Sequence, residues 1–225
     1  MHELFSTASS NKLTLRNNMQ TAGIFVVGTD TEVGKTYQCV ELARSLTPSR
    51  SVGVYKPVAS GGSVESGDPQ MLSKATDARW PIERICPQVF QAPVAPPVAA
   101  GLESREVDEQ LLREGAEWFE GRCDFLIVEG AGGVLSPISN SMTVLDLAES
   151  LQLPIALVAA NKLGVVNHTL LSIAAIESRG LQLSRIVLNS WDAFQDSSQQ
   201  SNKRLLQQFT QIPILGSLAE LAEVL

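Results

Sequence analysis

The chain has 225 residues, 44% hydrophobic and 18% charged, so it carries enough apolar material to bury a core and is not a disordered polymer. Seventeen basic residues against 24 acidic ones leave a formal net charge of −7, which offers no basic footprint to nucleic acid or to an anionic membrane surface. Cys39, Cys86 and Cys123 are too few and too widely spaced for a disulfide framework or a CxxC metal pair, and no apolar run approaches the ~18 residues that span a bilayer, so a cytoplasmic protein with reduced thiols is expected.

Residues 1–21 are polar, rich in Ser, Asn and Thr, and lack the apolar centre of a secretory signal. They read as a disordered tail, with Met19 a second candidate start; Lys12 and Arg16 against the single acid Glu3 leave a transit-peptide reading open. Residues 22–225 read as one domain. From Gly23 onward, short apolar runs alternate with longer amphipathic stretches, the pattern of a doubly wound α/β domain with a mostly parallel buried sheet and helices on both faces. Strands are expected at 24–27, 52–56, 125–129, 155–160, 186–189 and 212–215, and helices at 35–46, 107–119, 167–179 and 202–209. Arg179 and Gly180 read as a helix stop. The segment 59–102 breaks the rhythm with a Gly/Ser-rich stretch and prolines at 93, 96 and 97, and reads as a long functional loop.

Three strand ends carry chemistry. Gly28-Thr29-Asp30-Thr31-Glu32-Val33-Gly34-Lys35-Thr36 follows the first strand and opens the first long helix. That is the setting of a phosphate-binding loop: backbone N–H groups face the anion, Lys35 reaches the terminal phosphates and the Thr36 hydroxyl ligates magnesium. The loop is one residue longer than the strict pattern. The run from Asp124 to Gly133 is a buried strand whose acid, Glu129, precedes a glycine loop. Ligands sit at the carboxyl ends of strands in open α/β sheets, so Glu129 is a candidate second magnesium ligand. Tyr55-Lys56-Pro57-Val58-Ala59-Ser60-Gly61 sends a second lysine toward the same crevice, as phosphoryl transfer demands. Taken singly, each has a bland alternative: a chance turn, a solvated acid, a surface lysine. A fourth segment, Lys162 to His168, opens a helix whose unpaired N–H groups suit an anion; His168 is given no catalytic role.

Together with Pro213-Ile214-Leu215-Gly216 near the C-terminus, these segments resemble the dethiobiotin synthetase family, collinearly from about Gly23 to the end. The resemblance implies a P-loop NTPase type of fold and an ATP- and Mg2+-dependent cyclo-ligase. Carbon dioxide adds to one amine of 7,8-diaminononanoate, the carbamate is phosphorylated to a carbamic-phosphoric anhydride, and the second amine closes the ring to dethiobiotin with ADP and phosphate as by-products. By resemblance Lys56, Lys35 and Thr31 are catalytic, and Asp30, Thr31, Glu32, Val33, Gly34, Lys35 and Thr36 bind the nucleotide phosphates. Asn189, Pro213, Leu215 and Gly216 bind its base, and Thr36, Asp68 and Glu129 hold Mg2+. Ser60 and Gly132 line the substrate site, and Gly164, Val165, Val166 and Asn167 hold the substrate carboxylate across a homodimer. The chain departs from the family at Ala95-Pro96-Pro97, where an APH-type sequence is usual, and at Val134, where a bulky residue is common. Neither nucleic acid nor membrane is an expected partner. Two other ATPase classes fit less well. A corrinoid amide ligase needs a glutaminase domain, for which the stretch after Glu129 is too short, and a partitioning switch carries an additional lysine where Asp30 stands.

Overall fold

The computed structural model describes residues 20–63, 65–190 and 197–223. Apart from Gln20 and Thr21, the tail expected at 1–21 lies outside the described residues. The chain opens with β1 (Ala22–Gly28), α1 (Lys35–Leu46) and β2 (Val52–Tyr55). Short pieces follow: β3 (Ala59–Ser60), α2 (Asp68–Ala75), α3 (Ile82–Ile85), β4 (Val89–Phe90) and α4 (Pro96–Leu102). Next come α5 (Glu109–Glu117), β5 (Phe125–Gly133), α6 (Val144–Leu151), β6 (Ile155–Ala160) and α7 (Val165–Ser178). The last elements are β7 (Leu183–Asn189), α8 (Ser197–Leu206), β8 (Ile214–Leu215) and a 3₁₀ helix, Leu218–Glu223.

Six strands form one sheet in the order β2-β5-β1-β6-β7-β8, every neighbouring pair parallel. A parallel sheet needs both faces covered, and the strands show it: alternate residues feed two separate cores. Phe25, Val27, Leu126, Val128, Ile155 and Leu157 enter the core that includes Val144 and Leu147 of α6 and Val165, Ile173 and Ile176 of α7. Ile24, Val26, Phe125, Ile127, Ala156 and Val158 enter the other, against Cys39, Val40, Leu42, Ala43 and Leu46 of α1. All three cysteines are free and buried. Burial pushes the Cys86 thiol up to about 12 and the Cys123 thiol up to about 11, so both stay protonated as core residues.

The alternating pattern located most elements; the differences have local causes. The segment 59–102 is not one loop: it holds the β3–β4 ladder and three short helices, two of them with proline at the N-terminal turn. Pieces of two to eight residues are too short to show a period. Pro96 and Pro97 open α4, and Val134 is buried in the core. Helix α6 lies where the sequence pattern predicts no helix, and Thr143 and Asp146 close a reciprocal capping box at its start. Helix α7 begins at Val165 rather than Asn167, because Gly164 takes a left-handed conformation, φ 91°, and turns the chain into the helix two residues earlier than expected. Strand β5 runs past Glu129 through the glycines to Gly133, and α8 starts at Ser197 instead of 202.

Tyr55 is fully buried and its hydroxyl donates to the carbonyls of Leu111 and Leu112 at 2.9 and 3.0 Å, tying β2 to α5. Gly115, one turn on, leaves room for that ring: a Cβ there would collide with the Tyr55 hydroxyl and lie 2.6 Å from Cζ. Gly115→Ala is therefore expected to destabilise the fold by about 1–3 kcal/mol despite alanine's better helix propensity, read as a lower urea midpoint with unchanged slope.

Candidate active site

The phosphate-loop residues fold as their sequence dictates. Gly34 sits at φ 93° directly before α1, a conformation that a side chain strains against, and Gly28 is held so close that an added Cβ would meet Asp30 O at 2.7 Å and Lys35 Nζ at 3.0 Å. Lys35 Nζ donates to the Asp30 carbonyl at 2.9 Å, so the lysine lies back across its own loop. Burial lowers its pKa, an effect that Glu129 offsets only in part and that the like charge of Lys56 reinforces. Thr29 N–H donates to Val158 O of β6 at 2.9 Å, fastening the loop to the sheet. Asp30, Thr31 and Glu32 are exposed, Glu32 in a left-handed turn of φ 53°, whereas the Val33 side chain is 3% exposed in the core, so only its backbone faces a ligand.

Four segments converge beside this loop. In the β2–β5 register Tyr55 pairs with Val128, and in the β1–β5 register Val26 pairs with Glu129, so Lys56 and Glu129 leave neighbouring strands at the same height. Lys56 Nζ donates to Glu129 Oε1 at 2.6 Å and to Asp68 Oδ2 at 2.8 Å, and Thr36 Oγ1 donates to Glu129 Oε1 at 2.6 Å. Lys56 is 4% exposed and Glu129 1%. Burial alone works to lower the Lys56 pKa, but the two carboxylates more than offset it and hold the ammonium above the ordinary lysine range. For Asp68, burial works upward and the Lys56 charge and hydrogen bond outweigh it, leaving the carboxyl below the usual range. Asp68 is the first residue of α2, not part of a loop.

Glu129 Oε2 is buried and has no hydrogen-bond partner among the described residues. An orphaned carboxylate oxygen beside a threonine hydroxyl and a second carboxylate is a hard-oxygen donor set of the kind Mg2+ takes when phosphates and water complete its shell. The residues present thus fit that ion. The glycine loop lies against the phosphate loop: a Cβ on Gly133 would meet Thr29 O at 3.2 Å, and one on Gly132 would be 3.8 Å from Thr31 Cγ2. Ser60 ends β3 and is partly buried, outside the hydrogen-bonded group around Lys56.

A pocket of about 200 Å³ opens beside the first turn of α1, lined by Tyr37 and Gln38, by Leu188, Asn189 and Ser190, and by Gly216 and Ser217. Whole-ligand pockets run to ~300 Å³ or more, so this one suits a single heterocycle. Asn189 and Gly216 line it. Pro213 stands before β8, its carbonyl accepting from Ile186 N–H at 3.0 Å, and Leu215 packs against the α1-side core, so both lie beside the pocket and not in it. Gln38 and Ser217 carry no motif; the signal available was helical spacing, since Gln38 lies three residues after Lys35 on α1. Gly164, Val165, Val166 and Asn167 form the first turn of α7, where Val166 and Asn167 N–H have no partner within the helix. The strand order puts two strands between the ends of β2 and β6, a lateral offset of about 14 Å, so the structure does not bring this turn to Lys56 within one chain.

The lowered Asp68 pKa gives acid sensitivity a direction. The unfolded chain takes up the Asp68 proton first as pH falls through about 4, so the stability contributed by the Lys56–Asp68 pair is complete above that pH and is lost below it. The Asp68 side chain is 45% exposed, so solvent screens the pair. Asp68→Asn is expected to cost at most about 1 kcal/mol at pH 7, a gap that closes in urea unfolding at progressively lower pH.

A family model described as an AAA domain matches residues 22–224. The ATP-dependent dethiobiotin synthetase BioD of Rhodopirellula baltica is 39% identical over 215 residues, covering 87% of this chain and 83% of its own. The enzyme of the same name from Bacillus subtilis is 39% identical over 207 residues, 90% of this chain and 89% of its own. That of Anaeromyxobacter dehalogenans is 44% identical over 169 residues, 74% of this chain and 76% of its own. At this identity over this length, with Lys35, Thr36, Lys56 and Glu129 gathered at one end of the sheet, the chain belongs to the ATP-dependent dethiobiotin synthetase family.

Proposed function

We propose that this chain closes the ureido ring of dethiobiotin, as an ATP-dependent ligase forming C–N bonds, with Lys56 as the electrostatic centre of the reaction. The observation that carries this reading is the burial of the Lys56 ammonium between Glu129 and Asp68, next to Thr36 of the phosphate loop. A fixed cation out of water stabilises developing anionic charge far more than a mobile one on the surface.

One amine of 7,8-diaminononanoate adds to carbon dioxide and loses a proton, giving a carbamate. A carbamate oxygen attacks the γ-phosphorus of ATP, the bond to the β-phosphate oxygen breaks, and ADP leaves. The second amine attacks the carbonyl carbon of the mixed anhydride, the C–O bond to phosphate breaks, and the five-membered ring closes. Lys56 holds the carbamate oxygens and the transferring phosphoryl group; Lys35 and the backbone from Asp30 to Thr36 hold the β- and γ-phosphates. Thr36, Asp68 and Glu129 would hold Mg2+, which when bound would supply charge neutralisation on the phosphate oxygens. Thr31 and Glu32, exposed on the loop beside Gly132, stand along the path of the diamine, and Ser60 lines the carbamate side. Asn189 and Gly216 take the adenine, with Pro213 and Leu215 supporting the pocket from behind.

The substrate carboxylate goes to the first turn of α7 in a second copy of the chain. The offset of about 14 Å between β2 and β6 supports a homodimer in which Gly164 to Asn167 complete the partner's site. Leu163 and Leu171, 80% and 63% exposed, supply apolar surface around that turn for burial between subunits. No described helix is long and apolar enough to cross a membrane. The three free buried thiols suit a reducing compartment, and we place the chain in the cytoplasm.

Purified protein given diaminononanoate, labelled bicarbonate and MgATP is expected to release phosphate and incorporate acid-stable label in equal amounts, both dependent on the diamine. Phosphate release indifferent to the diamine sinks the proposal. Lys35→Ala is expected to lower kcat by at least about 10²-fold, the scale of losing one transition-state charge contact. Lys56→Ala is expected to lower kcat far more than it raises KM for ATP, and intact turnover in that variant removes its assigned role.

A further inference from the structure

One buried polar side chain of the base pocket is used by neither the phosphate site nor the metal set. Gln38 is 1% exposed. Its Nε2 donates to Asn189 Oδ1 at 3.0 Å, and its Oε1 accepts from Leu218 N–H at 2.8 Å and from Ser217 Oγ at 3.2 Å. Asn189, 4% exposed, donates in turn through Nδ2 to the Val33 carbonyl at 3.0 Å. The polarity of this relay is imposed from both ends. A backbone N–H at Leu218 only donates and a backbone carbonyl at Val33 only accepts, so each amide has one orientation that satisfies its neighbours. Turning either one over sets like atoms against each other at two contacts.

The relay decides what Asn189 has left to offer. A side-chain amide has two N–H groups and two oxygen lone pairs; one of each is spent, leaving one acceptor on Oδ1 and one donor on Nδ2 in a fixed order. A 6-aminopurine presents a donor at N6 beside an acceptor at N7, the complement of that order. A 6-oxopurine presents two acceptors, and one of them must face Oδ1. With the amide free to turn over, the order is lost and the penalty against the 6-oxo group shrinks.

We propose that Gln38 is a positioning residue for base selectivity: it holds the Asn189 amide in the orientation that accepts from a 6-amino group and repels a 6-oxo group. The inference rests on the reading of this pocket as the base site, and the experiment separates the two. Initial rates of the full chain with ATP and with ITP are measured for the wild type, Gln38→Leu, Gln38→Glu and Asn189→Ala, above neutral pH. Gln38→Leu is expected to lower the ATP-over-ITP ratio of kcat/KM by on the order of tenfold, with the change falling on KM. Gln38→Glu retains an acceptor for Leu218 but turns an oxygen toward Asn189 Oδ1, and is expected to lower the ratio as far. The pair of variants thereby separates amide orientation from a mere tie to the 3₁₀ helix, and Gln38→Glu carries the test if Gln38→Leu does not fold. An unchanged ratio in the Gln38 variants, with a collapsed ratio in Asn189→Ala, overturns the role of Gln38 and leaves the base site standing. An unchanged ratio in Asn189→Ala overturns the base-site reading and the inference together. Affinities for ADP and IDP, read by calorimetry on the same proteins, are expected to follow the same order.

Discussion

A carboxylate that is 1% exposed and an ammonium that is 4% exposed, 2.6 Å apart, are each untenable in the interior without the other, and the site is built around that pairing of Glu129 with Lys56. Removing two charges from water costs several kcal/mol per ion after relaxation, and the attraction between them recovers it only with good geometry and further hydrogen bonds. Thr36 and Asp68 supply those bonds from α1 and α2. The pair is thus a constraint on four elements at once. It requires β2 and β5 to be neighbours, and it requires their register: a slip by one residue would turn Lys56 and Glu129 to opposite faces of the sheet.

The same constraint links stability to chemistry. Charges held in place by the fold need little reorganisation when a transition state develops charge next to them, which is why a buried, fully partnered lysine serves phosphoryl transfer better than a solvated one. Its cost is carried by the two cores above and below the sheet, where fully buried side chains such as Phe25, Leu42, Leu126 and Ile127 each contribute about 1.5–3 kcal/mol. The unpartnered Oε2 of Glu129 is the one place among the described residues where a carboxylate oxygen stays buried and unpaired, while its Oε1 is bonded to Thr36 of the phosphate loop and to Lys56.

The first turn of helix α1 carries side chains of both the phosphate-loop cluster and the neighbouring pocket. Lys35 and Thr36 at its start donate to the Asp30 carbonyl and to Glu129, and Gln38, in the same turn, reaches the neighbouring pocket through Asn189. Because Gln38 also accepts from Leu218, the 3₁₀ helix at the end of the described chain is fastened to the same helix that carries the phosphate loop. The phosphate loop and the pocket are in this way referred to one rigid element, and the distance between them is set by helix geometry rather than by loops.

Much of this was legible in the residues. Apolar runs buried on both faces marked β1, β5 and β6, Lys35–Leu46 and Ile155–Ala160 were placed to the residue, and the strand ends carrying Lys35, Thr36, Lys56 and Glu129 identified the crevice, because phosphate loops and strand-terminal acids have fixed spacing along the chain. What had no spacing was not legible. The short helices between 59 and 102 and the capping of α6 are decided by single turns, and the start of α7 by the left-handed Gly164. The relay from Leu218 through Gln38 and Asn189 to Val33 joins residues up to 180 positions apart, and no local pattern announces a partner at that separation. Which chemical groups are present, and which strand ends they leave, follows from the order of the residues alone; the register of parallel strands and the closing of α1 against the C-terminal segment set which of them share hydrogen bonds, since those contacts exist only once distant segments are packed side by side.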